Sequence, residues 1–167
     1  GTVVTPKKTL EGGWVAVEGG KIAAIGQGDG APEADQTVDH GAALILPGVV
    51  DGQTHATSCK GMVGIAETTR GAIAGGVTTL VDMPYDNPAP LDRAKRLAGK
   101  VAAIAEHAYA DMALYGTATR ETGTKEMQAL IDGGVCAFKI SSFESSPTRF
   151  PRIGADLMLD MMELLAE

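Results

Sequence analysis

Residues 46–55 read LPGVVDGQTH, an apolar run that turns into small and polar residues at its end. Together with the apolar residues before it, this run predicts a strand over residues 42–50 that is buried on both faces. Such strands belong to parallel sheets covered by helices. Functional side chains of these proteins gather at the carboxyl ends of the strands, so the polar residues up to His55 are candidates for a site.

Strand and helix patterns alternate along the rest of the chain. The predicted strands cover residues 77–83, 112–117 and 135–141, and the predicted helices cover residues 91–108, 125–132 and 156–167. This order predicts a parallel α/β architecture.

Two of these helices carry patterns that predict how they pack. In the helix over 91–108, Leu97 and Val101 are predicted to pack on the sheet, with Lys100 on another side. The helix over 156–167 has one acidic stripe, which includes Glu167, and is otherwise rich in Leu and Met. It is predicted to be largely covered.

The region before residue 47 has a different pattern. Short strands are predicted over residues 2–5, 13–17 and 21–25, and Gly19-Gly20 suits a two-residue hairpin turn between the last two. A loop rich in Gly, Pro and acidic residues follows. The sequence therefore predicts a small β unit over residues 1–46 and an α/β region over residues 47–167.

The composition excludes several classes of function. The 14 basic and 21 acidic residues give a net charge of −7, which repels nucleic acid and anionic membrane surfaces. No apolar run approaches the roughly 20 residues of a membrane helix, and no leader pattern opens the chain, so we expect a cytoplasmic protein. Cys59 and Cys136 lack the spacing of a structural zinc site and are expected to be free thiols.

His55 and Gln53 are candidate metal ligands. If the strand continues to this point, both side chains lie on the same face. Imidazole is a common ligand of transition metals, whereas the amide of glutamine is a weak one. The alternative for His55 is a hydrogen-bonded loop residue.

Lys139 lies between Phe138 and Ile140 in an apolar strand, where its amine would be partly desolvated. Desolvation favours the neutral amine, which can form a Schiff base or take up carbon dioxide as a carbamate. A lysine at a sheet edge and a buried ion pair are the alternatives.

Several motifs resemble one known family. The segment 46–55 is similar to the opening of the amidohydrolase superfamily barrel, with Gln53 where the family has the first histidine of a His-x-His pair. Residues 74–79, followed by 82–84 and Asn87, resemble the second barrel unit of allantoinases and dihydroorotases. The order of these motifs is that of the family.

Two later segments extend the resemblance over essentially the whole chain. Residues 133–139 are similar to the segment of cyclic amidohydrolases whose lysine becomes N-carboxylated, and residues 150–152 are allantoinase-like. The chain thus resembles the cyclic amidohydrolase group of allantoinases, hydantoinases and dihydroorotases, with allantoinase as the nearest member.

The resemblance implies a fold. The chain is expected to form the N-terminal part of a (β/α)8 TIM-type barrel, with about four of the strands present, preceded by part of a small β-sandwich. Because the chain opens on Gly1 and stops within an apolar helical pattern, it is expected to be truncated, with more chain or another polypeptide completing the barrel. A homo-oligomer is also expected.

The resemblance also implies a chemistry. His55 would bind metal, and Lys139, as a carbamate, would bridge two divalent ions, zinc by preference, with manganese, cobalt or iron as alternatives. A metal-bound hydroxide would then open the ring amide of a cyclic amide or ureide such as allantoin or a hydantoin. Gln53 would be a weak ligand, and Asn87 a candidate for substrate binding.

Two alternatives follow from Gln53. The first is a non-catalytic scaffold or regulatory subunit, similar to the dihydropyrimidinase-like proteins, in which Gln53 marks the loss of a metal ligand. The second is a hydrolase with one metal ion. Four residues near the predicted rim are expected to have only surface or turn roles: Ser58, Tyr85, Asp86 and Ser141.

Overall fold

A computed structural model describes residues 1–166. The chain divides into two compact units, Gly1–Gly48 and a larger one that begins at Val49. Each is described by itself.

The first unit consists of five short strands. β1 (Thr2–Val4) pairs antiparallel with β2 (Thr9–Glu11), and its other edge pairs parallel with β5 (Leu44–Ile45). β3 (Gly13–Glu18) and β4 (Lys21–Gln27) form the predicted hairpin. The assignment of this unit to a β-sandwich remains a prediction.

The hairpin turn depends on its two glycines. Gly19 and Gly20 have φ angles of 57° and 75°, which are in the left-handed region that side chains disfavour. Two successive residues of this kind form the turn whose twist matches that of the flanking strands.

The second unit contains a four-stranded parallel sheet in the order β6-β7-β8-β9. Its strands are β6 (Val49–Thr54), β7 (Val77–Asp82), β8 (Asp111–Gly116) and β9 (Ala137–Phe138). Each is followed by a helix: α1 (Gly64–Ala74), α2 (Ala94–His107), α3 (Met127–Asp132) and α4 (Ala155–Leu165). The predicted α/β alternation is confirmed.

Two apolar clusters hold the helices on this sheet. Leu91, Leu97, Leu114 and Leu130 form the first. Ala118, Met127, Ile153 and Met161 form the second. The helices therefore cover the sheet on the side of these residues and leave the carboxyl ends of the strands to the loops.

The prediction of a doubly buried strand over residues 42–50 is wrong. β5 ends at Ile45 and β6 begins at Val49, because Pro47 has no N–H to donate to a sheet and Gly48 marks the boundary between the two units. Leu44 and Val50 are 64% and 60% exposed. The apolar run therefore belongs to two strands of different sheets.

The predicted burial of helix residues is also corrected. In α2, Val101 is 48% exposed, whereas Lys100 is fully buried because two carboxylates pair with it. In α4 only Met161 is buried, while Leu159 and Met162 are more than half exposed, so that helix is not largely covered. Glu167, which the predicted helix included, lies outside the described residues.

Candidate active site

A cavity of about 360 Å³ lies at the carboxyl ends of the strands. His55 follows β6, Tyr85 lies in the loop after β7, and Lys139 directly follows β9. The cavity is lined by these three residues and by Ile140, Ser141, Phe143, Ser145 and Phe150. The structure thus brings His55 and Lys139, which are far apart in the sequence, to the same cavity.

The imidazole of His55 is oriented by a serine. His55 Nδ1 lies 3.1 Å from Ser58 Oγ, and Ser58 Oγ donates its only hydrogen to the Tyr85 carbonyl at 2.7 Å. The serine can therefore only accept from His55, which places the ring hydrogen on Nδ1 and leaves the lone pair on Nε2. The expected surface or turn role does not describe Ser58 fully, because its hydroxyl selects the tautomer of His55, a candidate metal ligand.

The surroundings of His55 favour its neutral form. Burial lowers the pKa of the ring, and the positive charge of Lys139 lowers it further, against the opposing effect of Asp82. The Tyr85 ring meets the imidazole edge to face, with ring centroids 6.1 Å apart. A neutral imidazole is the form that binds a metal ion.

Lys139 continues the pairing of β9 by donating its backbone N–H to the Gly116 carbonyl at 2.9 Å. Its side chain is half-buried at the cavity, and within residues 1–166 β9 is the edge strand of the sheet. Lys139 forms no ion pair with any carboxylate among residues 1–166. The buried ion pair foreseen as an alternative is therefore absent from that part of the chain.

Gln53 and Asn87 lie apart from this cavity. β6 ends at Thr54, so the strand alternation that would align Gln53 with His55 stops before His55. The side chain of Gln53 is exposed, and Asn87 Nδ2 donates to the Cys59 carbonyl at 3.1 Å. Neither residue lines the cavity with His55 and Lys139.

A buried charged cluster lies beside the segment that carries His55. Lys100 Nζ is 2.7 Å from both Asp82 Oδ2 and Asp86 Oδ1. The surface or turn role expected for Asp86 is wrong, because this residue is only 2% exposed. Burial raises its pKa, and the ammonium of Lys100 opposes that effect.

Arg149 connects three loops around the cavity. Its guanidinium donates to the backbone carbonyls of Ser58, Tyr85 and Asp86, the last at 3.2 Å, and lies 4.3 Å from the centre of the Tyr85 ring. It therefore fastens the loop after β9 to the loops after β6 and β7. Arg149 has no signal in the sequence, since a single arginine in a loop belongs to no motif and no periodic pattern.

The donors at the cavity fit a metal ion only in part. Among residues 1–166 no three His, Cys, Asp or Glu side chains lie close enough together to hold a metal ion. His55 Nε2 and a carboxylated Lys139 are suitable donors, and a zinc ion usually takes four ligands. These two residues can therefore supply only some of the ligands of a complete site.

No helix within residues 1–166 is both long enough and apolar enough to span a membrane.

Comparison with known proteins identifies the family of this chain. The sequence model of the dihydro-orotase-like family matches residues 42–162. An allantoinase of Streptomyces avermitilis is 33% identical over 98% of this chain, which spans 37% of that protein. An allantoinase of Escherichia coli strain SMS-3-5 is 43% identical over 48% of the chain, corresponding to 18% of that enzyme.

Two solved structures are similar to this chain. L-hydantoinase (dihydropyrimidinase) from Arthrobacter aurescens has a TM-score of 0.82 and 26% identity over 91% of this chain and 34% of its own. A D-hydantoinase has a TM-score of 0.62 at 20% identity over 97% of this chain and 35% of its own, a likeness of fold alone. The predicted α/β fold, with the first strands of a barrel, is confirmed.

The chain therefore belongs to the dihydro-orotase-like family of cyclic amidohydrolases. Within that group it is similar to allantoinases, as the sequence motifs predicted. It spans little more than a third of the length of the first of these relatives.

Proposed function

We propose that this chain forms part of a metal-dependent hydrolase that opens the ring amide of a cyclic amide or ureide. The observation that carries the proposal is the meeting of His55 and Lys139 at one cavity, at the carboxyl ends of β6 and β9. Active sites of barrel enzymes form at this edge of the sheet. The family membership and the allantoinase relatives support it further.

In the proposed reaction, water adds across the ring C–N bond. The carbonyl carbon gains a hydroxyl group, the nitrogen gains a proton, and the ring opens to a carboxylic acid, which releases its proton to solvent and becomes a carboxylate. When bound, divalent metal ions activate water and polarise the carbonyl group of such a substrate. Zinc is our first choice, with manganese, cobalt or iron as alternatives, since imidazole suits all of them.

His55 and Lys139 have distinct proposed roles. His55 presents Nε2 to a metal ion because Ser58 holds the ring hydrogen on Nδ1. Lys139, as a neutral amine, would add carbon dioxide and release one proton. The resulting carbamate would carry one negative charge shared by two oxygens, which could help to hold the metal ions. Gln53 and Asn87 stay outside this proposed set because their side chains lie away from the cavity.

The cavity suits a small ring with polar edges. Phe143, Phe150 and Ile140 provide apolar surface, and Ser141 and Ser145 provide hydroxyl groups. Its volume of about 360 Å³ is within the range of small-molecule sites. Allantoin is the proposed substrate, because the similar proteins of Streptomyces avermitilis and Escherichia coli are allantoinases.

The alternative of a non-catalytic scaffold is not favoured, because the similar proteins are named as hydrolases, an allantoinase and a hydantoinase. We place the protein in the cytoplasm, in keeping with the two unpaired cysteines, Cys59 and Cys136. We also propose that it assembles with copies of itself, which light scattering on the native protein tests.

The deciding experiment compares Lys139→Ala with Lys125→Ala in the intact native protein. Metal content is measured by mass spectrometry, and the opening of allantoin is measured by the release of the ring-opened product. We expect Lys139→Ala to lose bound metal and activity together, while Lys125→Ala, a change at an exposed lysine, retains both. Full activity in Lys139→Ala would exclude the carbamate.

A further inference from the structure

Three ionisable side chains form a cluster that is closed to solvent. Lys100 and Asp82 are 0% exposed and Asp86 is 2% exposed, and the lysine lies 2.7 Å from an oxygen of each carboxylate. Burying charges is costly, and apolar side chains of similar size often stabilise a protein as well as a buried ion pair does. A contribution to stability alone therefore does not explain why these three buried side chains are charged.

The hydrogen bonds of the cluster reach the residues on both sides of His55. Asp82 Oδ1 accepts from the Ala56 N–H at 2.7 Å. It also lies 3.3 Å from the Thr54 hydroxyl, whose one hydrogen it shares with the Val81 carbonyl at the same distance. On the far side, the Thr57 hydroxyl donates to Asp86 and lies 3.4 Å from Lys100 Nζ. Every residue from 54 to 57 except His55 is thus fastened to the cluster.

These contacts leave His55 itself free to face the cavity. Its ring contacts Ser58 and Tyr85, while its backbone is held between Thr54 and Ala56. The position of the ring therefore depends on a segment whose geometry Asp82 and Asp86 determine. A displacement of Ala56 would therefore shift the imidazole within the cavity that Lys139 also lines.

We propose that the cluster of Lys100, Asp82 and Asp86 positions His55 for metal binding by fixing the backbone of residues 54–57. The inference rests on the proposed function, because the position of His55 matters for metal binding only if His55 is a metal ligand. Asp82 is the central positioning residue, since it binds the segment on both sides of His55. None of the three side chains lines the cavity.

Asp92 provides a matched control. It is 1% exposed, lies 3.0 Å from Arg93 Nε, also pairs with Arg96, and has no contact with residues 54–57. Replacing it therefore removes a buried, ion-paired aspartate at a different place, although its arginine partners are partly exposed.

The test uses Asp82→Leu, Asp82→Asn, Asp92→Leu and Asp92→Asn in the intact native protein. The affinity for Zn²⁺ is measured by competition with a chelator, at a temperature at which circular dichroism shows each variant folded. We expect Asp82→Leu to weaken zinc binding by about 10-fold to 100-fold. Asp82→Asn should lose roughly threefold to tenfold, since its amide oxygen still accepts from Ala56. The Asp92 variants should bind zinc as the unmodified protein does.

A second measurement does not depend on metal. Relative to the amide of Leu130 in the core, which reports any change in global stability, the Ala56 amide should exchange about 10-fold faster in Asp82→Leu, since its acceptor is gone. If the unmodified protein binds no zinc, the proposed function fails, and this exchange measurement alone decides the positioning role.

Three results would overturn the inference. The first is a folded Asp82→Leu protein with unchanged zinc affinity, or with unchanged Ala56 exchange if the protein binds no zinc. The second is an equal loss of zinc affinity in Asp92→Leu, which would show a general effect of stability. The third applies if Asp82→Leu does not fold, in which case Asp82→Asn is compared with Asp92→Asn. Equal zinc affinities of these two variants would then overturn the inference.

Discussion

Ser58 Oγ lies 3.1 Å from His55 Nδ1 and gives its own hydrogen to the Tyr85 carbonyl. This pair of bonds fixes both the direction and the tautomer of the imidazole. Outer residues of this kind commonly hold metal-binding histidines in place. The relationship links the loop after β6 to the loop after β7 at the edge of the cavity.

Replacing Ser58 with Ala should weaken metal binding. Without the acceptor, the ring hydrogen is no longer held on Nδ1 and the ring can turn. We expect the affinity for Zn²⁺ to fall by about 10-fold, measured by chelator competition on the intact protein. Ser142→Ala, at an exposed serine two residues after Ile140, is the matched control and should leave the affinity unchanged.

The pH dependence of His55 follows from its lowered pKa. In the metal-free protein, the NMR titration of the ring should have its midpoint below the usual value of about 6.5. Lys139→Gln removes a positive charge that lowers this pKa, so the midpoint should move upward. A midpoint that moves downward in that variant would contradict the placement of Lys139 beside His55.

The same shift affects stability, and its sign can be stated. The unfolded chain binds a proton at His55 at a higher pH than the folded chain does, so the unfolded state holds more protons just below pH 6.5. The contribution of His55 to the free energy of unfolding should therefore fall as the pH drops through that region. Urea unfolding at several pH values, compared with His55→Gln, measures this contribution.

Arg149 should control the mobility of the loop after β9. Its bonds to the carbonyls of Ser58, Tyr85 and Asp86 disappear in Arg149→Ala, which should cost roughly 2 kcal/mol of local stability. Exchange of the amides of residues 141–152, measured by mass spectrometry, should become faster. Arg149→Lys should not restore protection, because an ammonium cannot reproduce the planar fork of the guanidinium. Arg120→Ala, at an exposed arginine, is the control.

The sequence predicted the main features of the larger unit because its strands and helices have clear periodicity. The rule that parallel strands present functional groups at their carboxyl ends predicted that His55 and Lys139 would lie at a common rim. That rule needs only the position of each residue after its strand. It does not need the side-chain contacts, which is why it succeeded.

The burial of Lys100 could not be predicted in the same way. A lysine in an amphipathic helix is assigned to solvent, since charges are rarely buried without partners. Its partners, Asp82 and Asp86, come from another element, and only the tertiary fold brings them to it. The helix α1 was also not predictable from its apolar pattern. Its buried residues are Gly64, Ile65 and Thr69, which give little apolar periodicity.

The boundary at Pro47 shows a different limit. A continuous apolar run does not reveal whether it belongs to one strand or to two strands in separate sheets. Pro47 and Gly48 do mark the break between the two strands, but the same residues also belong to the motif that resembles the opening of the family's barrel. The structure assigns Leu44 to the first unit and Val49 to the second.

The buried cluster makes the sharpest prediction about stability. Lys100→Met alone leaves Asp82 and Asp86 buried without a counter-charge, so the free energy of unfolding should fall by about 3–5 kcal/mol. Replacing all three residues together, with Met at 100 and Leu at 82 and 86, removes every buried charge. That triple variant should recover most of the lost stability, because apolar groups of similar volume fill the same space.

Urea unfolding of the single and triple variants measures this recovery. If the cluster has only a structural role, the triple variant should recover zinc affinity together with stability. If it positions His55, the triple variant should be stable and still bind zinc weakly, since Ala56 and Thr54 have lost the carboxylate that accepts their hydrogen bonds. Stability and metal affinity then respond differently to the same substitutions, and that separation distinguishes positioning from packing.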